Sequence, residues 1–208
     1  DEVYGELTSS ADPWTEESPY APNNPYAASK AGADSLVRAT NRTHGLPTII
    51  THSCNNFGTH QHPEKLIPTL IRQAAAGVPL TLHGRGENTR TWMRVEDHCS
   101  GIRQALIHGK PGQTYALATG DEMTNLEVAQ LVLWATRSKS RVEFIADRPG
   151  NDWRYAMNSY KAYGELHWHV NDPIDNLAAR IDQVVRWYID NPEYAAGYGV
   201  FGKRLEYA

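Results

Sequence analysis

Apolar residues return at helical spacing along several stretches of the chain and at strand spacing between them, and their order predicts the fold. From about Tyr26 to His44, Ala27, Ala28, Ala31, Leu36, Val37 and Ala39 make one broad apolar face, and Gly45 marks a stop. The run "LPTIITHS" that follows has the β-branched character of a buried strand. A helix joined tightly to a strand is half of a parallel crossover unit. "PEKLIPTLIRQAAAGVP" predicts another helix, opened by Pro63 and closed by Gly77 and Pro79. "LTLHG" and "TRTWMRV" read as short strands about a hairpin turn, "GRGEN".

Further on, "EDHCSGIRQALIHG" is helical with acids in its first turn, and "GQTYALAT" is a strand. "TNLEVAQLVLWATR" has Thr124 and Glu127 at the spacing of a capping box. "SRVEFIA" is a strand and "DRPGNDWRYAMN" a loop. Ile174, Leu177, Ala178, Ile181, Val184, Val185 and Tyr188 predict an amphipathic helix ending near Asn191, and "GYGVFGKRLEYA" is expected to fray. Before all of these, "TSSADPWTEESPYAPNNP" is a surface loop rich in turn residues. Helices and strands alternate, which argues an α/β protein with a second, smaller lobe.

Composition narrows the function classes. With 208 residues, 40% of them hydrophobic, the chain can bury one sizeable core or a core plus a small lobe. A net charge of -4 with scattered basic residues offers no field for nucleic acid, and no apolar run reaches membrane-spanning length. The widely separated Cys54 and Cys99 fit a reducing compartment, so a cytoplasmic location is expected. His52, His60 and His62 lack the companion ligands of a metal site, and no metal is expected. A Gly-rich turn between a strand and a helix, the signature of dinucleotide binding, is missing; "GRGENTR" lies between strand-like segments.

Two groupings could carry chemistry. Tyr26 and Lys30 are four residues apart on a predicted helix, so they share a face. An ammonium beside a phenol favours the tyrosinate, making a group that normally titrates near ~10 usable as a base. The same spacing also describes an ordinary pair on a helix surface. Asp1 and Glu2 are adjacent carboxyls, readable either as solvated loop acids or as an acid and a base divided by unequal environments.

Taken in order, "DEVYG", "SPYAPNNPYAASKAGAD", "NNFG", "QHPEKLIP", "VEDHC", "TNLEV" and "DRPGNDWRYA" resemble the dTDP-glucose 4,6-dehydratases of the extended short-chain dehydrogenase/reductase superfamily. Tyr-x-x-x-Lys marks the superfamily, whereas Asp-Glu before Val-Tyr-Gly together with "PEKLIP" is specific to the dehydratases. The resemblance implies an α/β fold: the C-terminal part of a Rossmann-like doubly wound parallel sheet plus a small mixed α/β substrate-binding lobe. Residues 1–55 would belong to the NAD-binding domain, and 56–208 mainly to the substrate lobe with short segments returning. The Gly-rich cofactor loop is then expected upstream of Asp1, the 208-residue chain alone is expected to be inactive, and a homodimer is expected at full length.

The resemblance also implies roles. Tyr26 would take the proton of the carbon-4 hydroxyl as hydride passes to NAD, Lys30 would hold the tyrosinate and the cofactor ribose, and Asn55 would also touch the cofactor. Glu2 would remove the carbon-5 hydrogen and Asp1 would protonate the departing carbon-6 hydroxyl. Asn56, Glu64, Lys65, Leu66, His83, Arg90, Asn125, Arg148 and Asn151 would bind the nucleotide sugar, dTDP-glucose by this reading. The family pattern is broken at Cys54, Phe57, His60, His83, Thr91 and Asn151, which bears on the nucleotide and sugar more than on the reaction. An epimerase or decarboxylase of the same superfamily is the alternative enzyme, disfavoured by Asp1 and Glu2 because an epimerase expels no water. A non-catalytic nucleotide-sugar binder is the alternative outside enzymes.

Overall fold

In the computed structural model, residues 1–170, 177–192 and 194 are described. The chain divides into two compact units. Asp1–Asn56, Asn88–Glu122 and Pro149–Pro173 form the first; Phe57–Glu87, Met123–Arg148 and Ile174–Ala208 form the second.

The longest element of the first unit is α1, Pro25–His44. Asn24 caps it by accepting the Ala27 N–H at 2.8 Å, and Pro25 occupies the first turn, where no amide partner is needed. The next apolar run gives β1, Ile50–Ser53, and a short strand, β2, Asn55–Phe57, follows it. β1 pairs in parallel with β5, Thr114–Leu117, from Ile50 opposite Thr114 to Ser53 opposite Leu117. All of β5 is buried, as a strand covered on both faces must be. The covering helices are α3, Val95–His108, and α5, Tyr160–Leu166. Trp168 fills the space between them at 1% exposure and donates its indole N–H to the Asp97 carbonyl at 3.1 Å. A Cβ on Gly101 would stand 2.9 Å from Leu117 Cδ1 and 3.2 Å from Trp168 Cε2, so the lack of a side chain there lets α3 approach this core.

In the second unit, β3, Leu80–His83, pairs in parallel with β7, Val142–Ile145. Three helices accompany them: α2, Leu66–Ala75; α4, Asn125–Thr136; and α6, Leu177–Asp190. α4 packs against both α2 and α6 through Val128, Ala129 and Val132 on its own side and residues such as Leu70, Ile181 and Val185 on theirs. The predicted capping box is present: Thr124 Oγ1 accepts the Glu127 N–H at 3.1 Å, and Glu127 Oε2 accepts the Thr124 N–H at 2.7 Å. Thr124→Ala removes the cap acceptor and is expected to cost about 1 kcal/mol in a urea titration, with the slope unchanged.

Parallel pairing and alternating helices bear out the α/β reading. "GRGEN" does not close a hairpin, however. β3 pairs with β7, some sixty residues later, and β4, Thr89–Arg94, has β2 and β6, Glu122–Thr124, as its neighbours. The broad apolar face expected of α1 is also largely uncovered in this chain: Ala27 is its one buried residue, and Leu36 is 71% exposed. The amphipathic helix begins within the described residues at Leu177, while 174–176 and the stretch expected to fray, 197–208, lie outside them.

The cysteines are both free and differ in environment: Cys54 is buried and Cys99 exposed. Burial pushes the Cys54 thiol up to about 12, so at neutral pH it holds its proton. A thiol reagent is expected to modify Cys99 in the native chain and Cys54 only after denaturant is added; two fast thiols in the native state would contradict this.

Candidate active site

The carboxyl pair sits on a 3-10 turn, Glu2–Tyr4, that the sequence reading did not specify. Tyr4 N–H reaches the Asp1 carbonyl and Gly5 N–H the Glu2 carbonyl, both at 3.1 Å. Gly5 then takes φ 82, and a Cβ there would lie 2.3 Å from the Ala21 carbonyl oxygen, a clash with backbone. Glycine in "DEVYG" is therefore required by the turn itself. The turn is fixed by two further bonds, from the Asp1 nitrogen to the Ser53 carbonyl at 3.2 Å and from Ala21 N–H to the Val3 carbonyl at 3.0 Å. It consequently docks at the carboxyl end of β1, the end at which open parallel sheets bind ligands.

The two carboxyls have different surroundings, and both are half-buried. Asp1 Oδ2 is buried and has no hydrogen-bond partner among the described residues, a place where an ionised oxygen would lack donors. Glu2 Oε2 accepts from Asn24 Nδ2 at 3.2 Å. Asn24 thus uses its carbonyl to cap α1 and its amide to hold Glu2, linking the acid turn to the helix packed against it. Sequence reasoning missed Asn24 by opening the helix at Tyr26. The cap-then-proline order of Asn24-Pro25 is the signal that could have found it.

Tyr26 and Lys30 lie one turn apart on α1, as their spacing requires, and both are exposed, Tyr26 at 63%. No hydrogen bond joins them among the described residues. Asn55 and Asn56 open β2, one residue past the end of β1; Asn56 Nδ2 donates to Ser53 Oγ at 2.8 Å and to the Cys54 carbonyl at 3.3 Å.

Arg90 and Asn151 come together in the first unit. The buried Arg90 guanidinium donates to the carbonyls of Thr89 at 2.8 Å, Asp152 at 2.9 Å and Trp153 at 3.2 Å, and to Asn151 Oδ1 at 3.4 Å. It also stacks over the Tyr155 ring, 4.3 Å from its centroid. Arg90 is thereby the clamp of the 151–155 segment. Tyr155 in turn donates to Asp152, and burial followed by that bond raises its phenol pKa. Arg154, which the sequence reading did not single out, grips Glu122 with two bonds of 2.6 and 2.7 Å and the carbonyls of Thr8 and Ala11 at 3.1 and 2.7 Å. The Glu122 bonds hold its guanidinium pKa above the usual value.

The other predicted substrate residues belong to the second unit. Glu64 and Lys65 are exposed and 3.5 Å apart as an ion pair, and Leu66 is the first residue of α2. His83 ends β3 and donates from Nδ1 to the Ala146 carbonyl at 3.0 Å. Asn125 opens α4, and Arg148 is exposed, its N–H bonded to Asp147 Oδ1 at 2.8 Å. His83 therefore stands at the carboxyl end of β3 and Arg148 three residues past that of its parallel partner β7.

A parallel α/β unit with a Tyr-x-x-x-Lys helix and an acid-bearing turn at a strand's carboxyl end defines a Rossmann-type fold. Comparison with known proteins narrows this. The sequence model of the GDP-mannose 4,6 dehydratase family matches residues 1–181. A dTDP-glucose 4,6-dehydratase of Xanthomonas campestris is 41% identical over 216 residues, covering 99% of this chain and 60% of the relative. The low-salt glycan biosynthesis protein Agl12 of Haloferax volcanii is 47% identical over 179 residues, covering 84% of this chain and 57% of the relative. The crystal structure of DesIV, a dTDP-glucose 4,6-dehydratase from Streptomyces venezuelae with NAD and TYD bound, superposes with a TM-score of 0.88. It is 42% identical and covers 93% of this chain and 59% of that one. The chain belongs to the GDP-mannose 4,6 dehydratase family. It spans about 60% of the length of the Xanthomonas relative.

Proposed function

We propose that this chain is the substrate-transforming part of an NAD-dependent nucleotide-sugar 4,6-dehydratase that converts dTDP-glucose to dTDP-4-keto-6-deoxyglucose. The observation that carries the reading is the carboxyl pair, Asp1 and Glu2, docked at the carboxyl end of β1 and tied through Asn24 to the helix of Tyr26 and Lys30. An epimerase has no water to expel and no use for such a pair. Relatives at 41% identity named as dehydratases support the same assignment.

The first unit fits a dinucleotide. Tyr26 and Lys30 present a hydroxyl and an ammonium on an exposed helix face, and Asn55 follows the strand end at which such ligands bind. When bound, NAD supplies the acceptor for the carbon-4 hydride and returns that hydride to carbon 6. Tyr26 Oη takes the carbon-4 hydroxyl proton, and Lys30 stands one turn away on the same exposed helix face. The ketone formed at carbon 4 acidifies the carbon-5 hydrogen, which the Glu2 carboxylate removes. Asp1 gives its proton to the carbon-6 hydroxyl, which leaves as water, and a proton is added back at carbon 5 as carbon 6 receives the hydride. The two carboxyls differ in surroundings: Asp1 Oδ2 meets no donor among the described residues, whereas Glu2 Oε2 accepts from Asn24, and unequal surroundings are what a division of acid and base roles requires.

We assign Asn56 and Asn151 in the first unit, and Glu64, Lys65, Leu66, His83, Asn125 and Arg148 in the second, to the nucleotide sugar. Arg90 contributes by shaping the segment that bears Asn151. By this reading the first unit belongs with the NAD-binding domain, and the second unit is the substrate lobe. The open apolar face of α1 supports burial against a second subunit. Free cysteines support a cytoplasmic setting.

The test is product analysis with an enzyme of the relatives' full length that contains this chain. Incubation with dTDP-glucose is expected to yield the 4-keto-6-deoxy sugar with no net consumption of NAD, while the 208-residue chain alone gives no turnover. An epimerised sugar, or binding without conversion, would contradict the proposal.

A further inference from the structure

One partly buried cluster in the first unit, Tyr4, Tyr20, Asp34, Arg38 and His52, lies outside the roles assigned above. Tyr26, Lys30, Asp34 and Arg38 recur every four residues on α1 and so form one stripe along the helix. Its first half is exposed, and its second half turns toward β1 and β5. Asp34 Oδ2 lies 2.9 Å from His52 Nε2 and accepts from the Tyr20 hydroxyl at 3.0 Å. Arg38 donates to the Tyr20 oxygen at 2.8 Å and to Thr114 Oγ1 at 3.3 Å. On its other side, His52 Nδ1 lies 2.7 Å from the hydroxyl of Tyr4, which is 1% exposed and sits two residues beyond Glu2.

The chemistry orients every bond in this chain. Asp34 can only accept as a carboxylate, so the imidazole carries its hydrogen on Nε2. Burial, the largest influence on it, holds His52 below the usual imidazole pKa despite Asp34, so the ring is neutral near pH 7. Its Nδ1 lone pair then accepts the Tyr4 hydroxyl. Neither Tyr4 nor Asp34 has to give up its partner to satisfy the other. Tyr4 is further confined by edge-on contacts with His52 and Tyr20, ring centroids 5.2 and 5.4 Å away.

We infer that His52 is a positioning residue: by joining Tyr4 of the acid turn to Asp34 of α1, it sets the carboxyls of Asp1 and Glu2 in register with Tyr26 and Lys30. The inference rests on the dehydratase reading and adds to it a group that touches no reacting atom. The direct Asn24–Glu2 bond, at 3.2 Å, restrains only the start of α1. The His52 link restrains the same helix two turns past Tyr26 and so limits its rotation relative to the turn.

The experiment compares His52→Leu and His52→Gln in the complete enzyme. Leucine fills the space without hydrogen bonds; glutamine offers an amide donor toward Asp34 and a carbonyl acceptor toward Tyr4. At a temperature where both variants are folded, His52→Leu is expected to lose about 10²-fold in kcat with KM little changed, and His52→Gln to recover most of that loss. A purely structural role would lower the two variants' Tm without this split. In the 208-residue chain, nitrogen NMR of His52 is expected to show protonated Nε2 and a bare Nδ1. Near-parental kcat in His52→Leu, a glutamine variant no better than leucine, or the opposite tautomer would each overturn the inference. Parental turnover with an indifferent His52→Leu enzyme sinks this inference alone; a parent that performs no dehydration sinks the function reading along with it.

Discussion

Replacing Tyr26 by phenylalanine in the complete enzyme is expected to lower turnover by about 10²–10⁴-fold, the range lost with a general base. Tyr26 is 63% exposed on α1, so removing its hydroxyl disturbs no core packing, and Tm should stay within the range of surface substitutions. Under the proposed roles the loss is expected at the first chemical step, because without a base the carbon-4 hydroxyl would keep its proton. Variants of the acid turn should fail later and differently. Glu2→Gln keeps the bond partner of Asn24 but cannot take the carbon-5 hydrogen, so exchange of that hydrogen with solvent should stop while carbon-4 oxidation persists. Asp1→Asn should permit carbon-5 exchange yet retain the carbon-6 oxygen. Loss of all three activities together in each variant, or none in any, would mean that these groups do not divide the reaction as described.

The second large effect is on stability. Trp168→Ala is expected to cost about 3–5 kcal/mol, as truncation of a large buried aromatic does. The indole is 1% exposed, donates to the Asp97 carbonyl at 3.1 Å, and lies so near Gly101 that a Cβ there would stand 3.2 Å from Cε2. Truncation therefore removes packing from both α3 and α5 and leaves a buried carbonyl without that donor. Against a total stability of about 5–15 kcal/mol, the native state of the first unit would be marginal. Chemical denaturation followed by fluorescence reads this directly, and a shift under about 1 kcal/mol would show that the space collapses around the smaller side chain.

What the sequence disclosed and what it concealed follow from the range of the interactions. The β-branched run at Ile50–Ser53, the stop at Gly45 and the Thr124–Glu127 box are local signals, and each has its counterpart in the structure. The parallel partners of β1 and β3 are distant in sequence, and nothing near "GRGEN" reveals that Leu80–His83 pairs with Val142–Ile145. A turn flanked by short apolar runs looks the same whether or not its two arms meet. β2 and β6 are three residues each, too short for any period to register. Among the site residues, the i, i+4 placement of Tyr26 and Lys30 was legible because a helix fixes it. Their exposure was not, because the apolar residues beside them suggested a covered face. Asp34 and His52 are 18 residues apart and belong to different elements, so their 2.9 Å contact exists only in the fold. Arg90 reads as one more basic residue until the carbonyls of 152 and 153 are seen around it.

The measurement that bears most directly on the account uses dTDP-glucose deuterated at carbon 4 with the complete enzyme. Because Tyr26, Glu2 and Asp1 are assigned to successive steps on one bound sugar, the deuterium should appear at carbon 6 of the 4-keto-6-deoxy product, with a solvent hydrogen at carbon 5. Deuterium retained at carbon 4 of a sugar that keeps its carbon-6 hydroxyl would mean that the carboxyls of the first turn expel no water.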